Sequence, residues 1–175
     1  MRRINCSLSK RGSLDRAISD LQRYKVELQN KCIMFVSELA QVGIVTAKAN
    51  CGQYGDRITF TREVRLTPNG ASGKLVAVGS KIAGFRGEEI VYADALLLAE
   101  FGSGWEAKVI ENVPGVGQGT FPGQIHATDP DGWWYLGEDG VYHHTYGEKP
   151  TYPMYNAMVA MISDFQSVAA RVFRS

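Results

Sequence analysis

Leu14, Leu21, Leu28, Phe35 and Val42 recur at an interval of seven residues, with Ile18, Tyr24, Cys32 and Leu39 between them. This spacing gathers apolar side chains into one stripe of a helix but scatters them over both faces of a strand. It predicts a helix capped by Ser13, with Asp15 in the first turn, where the helix dipole favours negative charge. Gly43 is the expected stop. Glu27 and Lys31 form a favourable pair one turn apart on another face. A helix of about 30 residues is about 45 Å long. A body built from a chain of 175 residues is too small to cover such a rod. Part of the stripe is therefore expected to meet another copy of the chain or another partner. The competing reading is a helix broken near Asn30 and packed wholly at home.

The remaining pattern alternates hairpins and helices. Ile58, Phe60, Val64 and Leu66 alternate with polar residues, as in a half-buried strand. Thr67 to Gly73 form a turn cluster, and Leu75 to Val78 read as the returning strand, with Ile82 and Phe85 extending it. Glu88 to Phe101 reads as a second helix, with Ile90, Ala93, Leu97 and Phe101 on one face. Gly102-Ser103-Gly104 ends it. Residues 105–132 are punctuated by glycine and proline, a long loop of the kind that tends to be functional. Trp133 to Leu136 and Val141 to Thr145 then form a hairpin around Gly137-Glu138-Asp139-Gly140. Of the adjacent tryptophans Trp133 and Trp134, one is expected to face inward and one outward. Pro150 and Pro153 lead into a last helix, in which Tyr155, Met158, Ile162, Phe165, Ala169 and Val172 recur at helical spacing. The whole is an α+β chain: long N-terminal and C-terminal helices packed on a small antiparallel sheet. Residues 1–12 read as a flexible basic arm and residues 13–175 as a single domain.

Hydrophobic residues make up 45% of the chain, enough for a core and against global disorder. No uninterrupted apolar run reaches the roughly 18 residues of a membrane span. The basic N-terminus has no apolar stretch after it, which predicts no secretory signal. A soluble protein made in a cytoplasm, with no membrane partner, is expected. Eight of the nineteen basic side chains fall within residues 1–31. Arg2, Arg3, Lys10 and Arg11, with Arg16, are the residues that would face DNA, although a solvated helix face carries the same charges.

Chemistry is sparse. Gly115 to Thr120 lacks the Lys-Ser/Thr pair of a phosphate loop, and Thr120 stands where a dinucleotide fingerprint needs glycine. Cys6, Cys32 and Cys51 are odd in number and lack Cys-x-x-Cys spacing, which argues against a disulfide framework and a zinc site. His143 and His144, adjacent on a strand, point to opposite faces. Asp129-Pro130-Asp131-Gly132 starts like a calcium loop but lacks the later ligands. The expectation is no catalytic residue, no cofactor and no metal. The alternative is a small metal-dependent hydrolase built on His126, Asp129, Asp131, His143 and His144, or a Cys51–His126 nucleophile pair.

Two stretches carry a resemblance. Tyr92-Ala93 followed by Glu100-Phe101-Gly102-Ser103-Gly104 resembles the Tyr-Ala … Glu-Phe-Gly-Thr-Gly signature of the HK-97-type neck or tail-completion family of long-tailed bacteriophages, with Ser103 in place of the usual threonine. Trp133-Trp134-Tyr135 through His143-His144-Thr145, Gly147, Pro150 and Pro153-Met154-Tyr155 is similar to the segment that leads into that family's last helix. The resemblance covers about half the chain. It implies a non-enzymatic virion subunit that assembles in a ring at the head–tail junction, beside other neck, connector and tail proteins. It implies a folding role for Tyr92, Glu100, Phe101, Gly102, Gly104 and Pro153. The expected contacts between subunits are Leu14, Leu21, Leu28, Phe35, Trp133 and Trp134.

Overall fold

The computed structural model describes residues 12–86, 89–106, 129–137 and 139–174. The expected α+β class is what the chain adopts. Helix α1 (Ser13–Ala49) is followed by a 3-10 turn (Gly52–Arg57) and the strands β1 (Ile58–Thr67), β2 (Gly70–Gly79), β3 (Lys81–Arg86) and β4 (Glu89–Asp94). Helix α2 (Ala95–Phe101), strands β5 (Ser103–Gly104), β6 (Trp133–Leu136), β7 (Tyr142–Thr145) and β8 (Gly147–Glu148), and helix α3 (Pro153–Arg174) complete the order. Where one small sheet was expected, the described strands form four antiparallel pairs: β1–β2, β3–β4, β5–β8 and β6–β7.

The first helix is longer than its sequence signals suggest. Gly12 takes the cap position in a left-handed conformation with no side-chain cap bond, so Ser13 is the first helical residue and not the cap. Gly43 does not stop the helix; it is buried inside it. A Cβ there would lie 2.7 Å from Leu75 Cδ1 and 2.9 Å from Met161 Sδ. Gly43 thus lets β2 and α3 both close onto α1. The helix unwinds at Asn50, whose side-chain amide donates to Thr46 O at 2.8 Å. Its 37 residues span about 55 Å.

The core is built from small residues where three layers meet. Ile44, Ala47, Cys51, Ile58, Phe60, Ala95, Ala99 and Ala157 form its buried centre, with Leu75, Ala77, Ile82, Leu96 and Met154 against it. The β1–β2 hairpin lies along one side of the C-terminal half of α1. Arg62, on the inward face of β1, donates to Ser37 O and Gln41 Oε1, both at 3.0 Å. Helix α3 runs antiparallel along another side of α1. Asn156 Nδ2 donates to Asn50 Oδ1 at 3.1 Å, Phe35 meets Phe165 edge-on at 5.1 Å, and Arg171 pairs with Glu38 at 2.7 Å.

Two expected elements differ in the structure. The turn of the first hairpin is only Pro68-Asn69, because strand pairing runs on to Thr67 and Gly70. Glu88 to Phe101 is not one helix: Glu89–Asp94 is a strand, and the helix begins at Ala95. Isoleucine, valine and tyrosine at 90–92 suit a pleated strand, and Asp94 is the true cap, accepting from Leu96 N–H at 2.9 Å. The helical spacing expected of α3 is present: Val172 is buried with Pro153, Ala157 and Val168, whereas Met158, Ile162 and Phe165 stay exposed.

Helix α1 also contains an 18-residue window apolar enough to cross a membrane by composition, which a search for uninterrupted runs does not find. In this fold the helix carries Ala40, Gly43, Ile44 and Ala47 into the core, and its Glu38 is paired with Arg171.

Candidate functional site

The antiparallel pairing fixes where α3 ends on α1. Asn156 matches Asn50, Met161 reaches Gly43, Arg171 reaches Glu38, and Phe173 lies 5.8 Å from Phe35. The part of α1 before Phe35 therefore runs on past the end of α3. Every residue from Leu21 to Leu28 is exposed. Leu14, Leu21 and Leu28 are 58%, 55% and 41% exposed, and Ile18 and Tyr24 are both 45% exposed. Ala17 alone in this overhang is buried. The stripe that α3 covers at Phe35 thus continues uncovered for three further turns or more. Phe35 is one exception among the expected contact residues, because Phe165 and Phe173 already occupy it within the protomer.

Helix propensity alone leaves a solitary helix of under about 15 residues marginal in water. The overhang gains little from its own surface: Arg23 pairs with Asp20 one turn away, both exposed. Asp15, Arg16, Ser19, Asp20 and Arg23 line a shallow open depression on it.

The signature residues form a different feature, a clasp that joins the end of α2 to the start of α3. Glu100 is buried, and its two carboxylate oxygens accept from the backbone N–H groups of Met154 and Tyr155 at 2.8 and 3.1 Å. Those N–H groups lie in the first turn of α3 and have no partner inside the helix. Glu100 thus caps α3 from another element, with its charge at the positive end of the helix dipole. Burial pushes its pKa up, and the two backbone hydrogen bonds act against that shift. Thr151 and Tyr152 N–H both donate to Ala99 O, at 2.8 and 3.2 Å. Pro153, whose missing N–H costs nothing at a first helical position, is fully buried beside them.

The glycines let the backbones meet. Gly102 caps α2 with φ 69° and donates to Leu98 O at 2.8 Å. Gly104 has φ 60°, and a Cβ there would fall 2.7 Å from Tyr146 O and clash with the edge of the Trp133 ring. Beyond them β5 pairs with β8, and Glu148 N–H donates to Ser103 Oγ at 3.0 Å. The Glu148 carboxylate accepts from Tyr54 Oη and Gln53 Nε2. Burial first, and then this bond to Glu148, drives the Tyr54 hydroxyl far above its ordinary value. Tyr92 does not join the clasp: it stands 67% exposed on β4. Phe101 is half-buried. What the sequence missed is the cap, since Glu100 and Met154 lie 54 residues apart.

The histidines are held separately. His143 Nε2 contacts Asp139 Oδ2 at 2.9 Å, whereas His144 Nε2 contacts Asp131 O at 2.8 Å from the other face of the hairpin. The pairing with His143 holds the Asp139 carboxyl below its ordinary range. Trp134 is 65% exposed with His144 at 5.0 Å, and Trp133 turns inward onto Gly104. Asp129 Oδ1 accepts from Asp131 N–H at 3.1 Å, closing a turn. Among the described residues no cluster of three metal-ligating side chains occurs. Cys51 is buried and donates to Ala47 O at 3.2 Å; burial raises its thiol pKa, which disfavours a thiolate. His126, Arg2, Arg3, Lys10 and Arg11, and most of the expected loop 105–132, lie outside the described residues. Arg16 is exposed on the overhang.

No family model, curated protein or solved structure matches this chain.

Proposed function

We propose that this chain is a structural subunit of a long-tailed bacteriophage virion, a neck or tail-completion protein that assembles in a ring at the head–tail junction. The observation that carries the reading is the bare stripe of Leu14, Ile18, Leu21, Tyr24 and Leu28 on a helix that outruns its own body. Fully burying a leucine-sized side chain is worth about 2 kcal/mol. Covering five that are each about half exposed therefore gains roughly 5 kcal/mol. That is of the order of the entropy lost when two proteins associate. One such contact is therefore weak alone, and closing a ring adds a contact without adding a further copy.

The clasp supports the same reading from the other side. The residues that carry the resemblance to phage neck proteins serve folding: Glu100 caps a helix, and Gly102 and Gly104 permit close approach. They need no substrate to account for them.

Deleting the gene from its phage is expected to leave filled heads and finished tails unjoined, or virions that fall apart, in electron micrographs. Normal infectious particles would refute the reading. Leu21→Asp separates assembly from folding. Leu21 is exposed, so the folding stability should hold within about 0.5 kcal/mol of the parent. The yield of joined particles should collapse.

A further inference from the structure

Helix α3 has a second apolar face. Met158, Ile162 and Phe165, spaced i, i+4, i+7, lie on one side of it, and they are 41%, 68% and 50% exposed. They flank the face that packs on α1, where Ala157, Val168 and Val172 are buried. The apolar arc of α3 is thus wider than the protomer uses. Phe165 belongs to both halves: it touches Phe35 at the edge of the internal seam and is half-exposed on the outside.

The described parts of α1 and α3 therefore each present a bare apolar surface. One is the stripe of α1 beyond the end of α3. The other is the flank of α3. Within the protomer an α1 stripe already packs against α3, and the overhang is an unbroken continuation of that stripe with the same seven-residue interval. The overhang from Leu14 to Leu28 is about 21 Å long and the flank from Met158 to Phe165 about 10 Å, so the flank can cover about half of the overhang.

We infer that the α1 overhang of one copy lies on the Met158–Ile162–Phe165 flank of α3 in the next copy, repeating between molecules the helix pairing made inside each one. This rests on reading α1 as an assembly helix. The contact joins two different surfaces, so it is heterologous, and each copy offers one donor and one acceptor surface. Such contacts propagate head to tail and close into a ring when the rotation allows. A symmetric pairing of two overhangs would end at a dimer and leave the α3 flank in water.

The test uses the full chain in two single-cysteine forms, Leu21→Cys and Ile162→Cys, distinguished by an isotope label. Both carry Cys6→Ser and Cys32→Ser, and Cys51 is retained because it is buried. The two are mixed at high concentration and oxidised, and the cross-links are read by mass spectrometry. Expected is a 21–162 link between differently labelled chains that exceeds both same-site links. Ile162→Asp in the parent chain should also weaken self-association by tenfold or more on the relation of affinity to free energy, with an unchanged melting temperature. A dominant 21–21 link, a dominant 162–162 link, or no link at all overturns the inference. These outcomes are separate from the gene deletion. Unjoined heads and tails without a 21–162 link sink only this contact. Normal particles sink the neck reading whatever the cross-links show.

Discussion

Gly104→Ala should destabilise the fold by about 3 kcal/mol, combining left-handed backbone strain with overpacking. The added Cβ would meet Tyr146 O at 2.7 Å and the Trp133 ring, on a backbone held at φ 60°. At roughly 2–4 °C per kcal/mol for a chain of this size, the melting temperature should fall by about 6–12 °C. Gly140→Ala is the internal control. Gly140 has φ 74°, and nothing lies within 4 Å of its added Cβ. Strain alone acts there, so the loss should be about 1 kcal/mol. The difference between the two variants measures how tightly β5 and β8 close. Equal losses at both positions would mean that the clasp is loose.

Glu100→Ala is expected to cost a further large amount, about 2–4 kcal/mol, because two N–H groups at the head of α3 lose their acceptor. Glu100→Gln should fall between parent and alanine, since its one carboxamide oxygen serves a single N–H. The pH dependence has a definite sign. Burial raises the folded-state pKa of Glu100 above its ordinary 4.5. The native state therefore binds this proton more readily than the unfolded chain. The corresponding stabilisation is fully present below 4.5 and is lost as pH rises through the raised value. The gap in melting temperature between the parent and Glu100→Gln should thus widen as pH falls from neutrality toward 4.5. A gap that narrows in acid would mean that the two hydrogen bonds outweigh burial.

Long periodic elements were legible in the sequence, and relations between elements were not. The interval of Leu14, Leu21 and Leu28 is a property of one helix, and it identified the helix while leaving an uncovered stripe as one of two readings. Gly43 was misread because a glycine in a helical pattern ordinarily marks an end, and only the approach of Leu75 and Met161 gives it another use. Ile90-Val91-Tyr92 was absorbed into a helix because Ile90, Ala93 and Leu97 happen to keep helical spacing. The cap that begins α2, Asp94, stood in plain view. In α3 the apolar arc is wide enough that periodicity could not say which side faces inward. The clasp was recognisable as a motif, but the work of Glu100 was not, because its partners are remote in the chain.

An assembly helix must have the start of α1 covered in the assembled particle. Amide hydrogen exchange over Leu14–Leu28, read by mass spectrometry on the free chain and on intact virions, measures that directly. Exchange should be fast in the free chain, as for a helix in water, and strongly slowed in the virion. Equal exchange in both states, or a segment already protected in the monomer, would contradict an assembly role for α1.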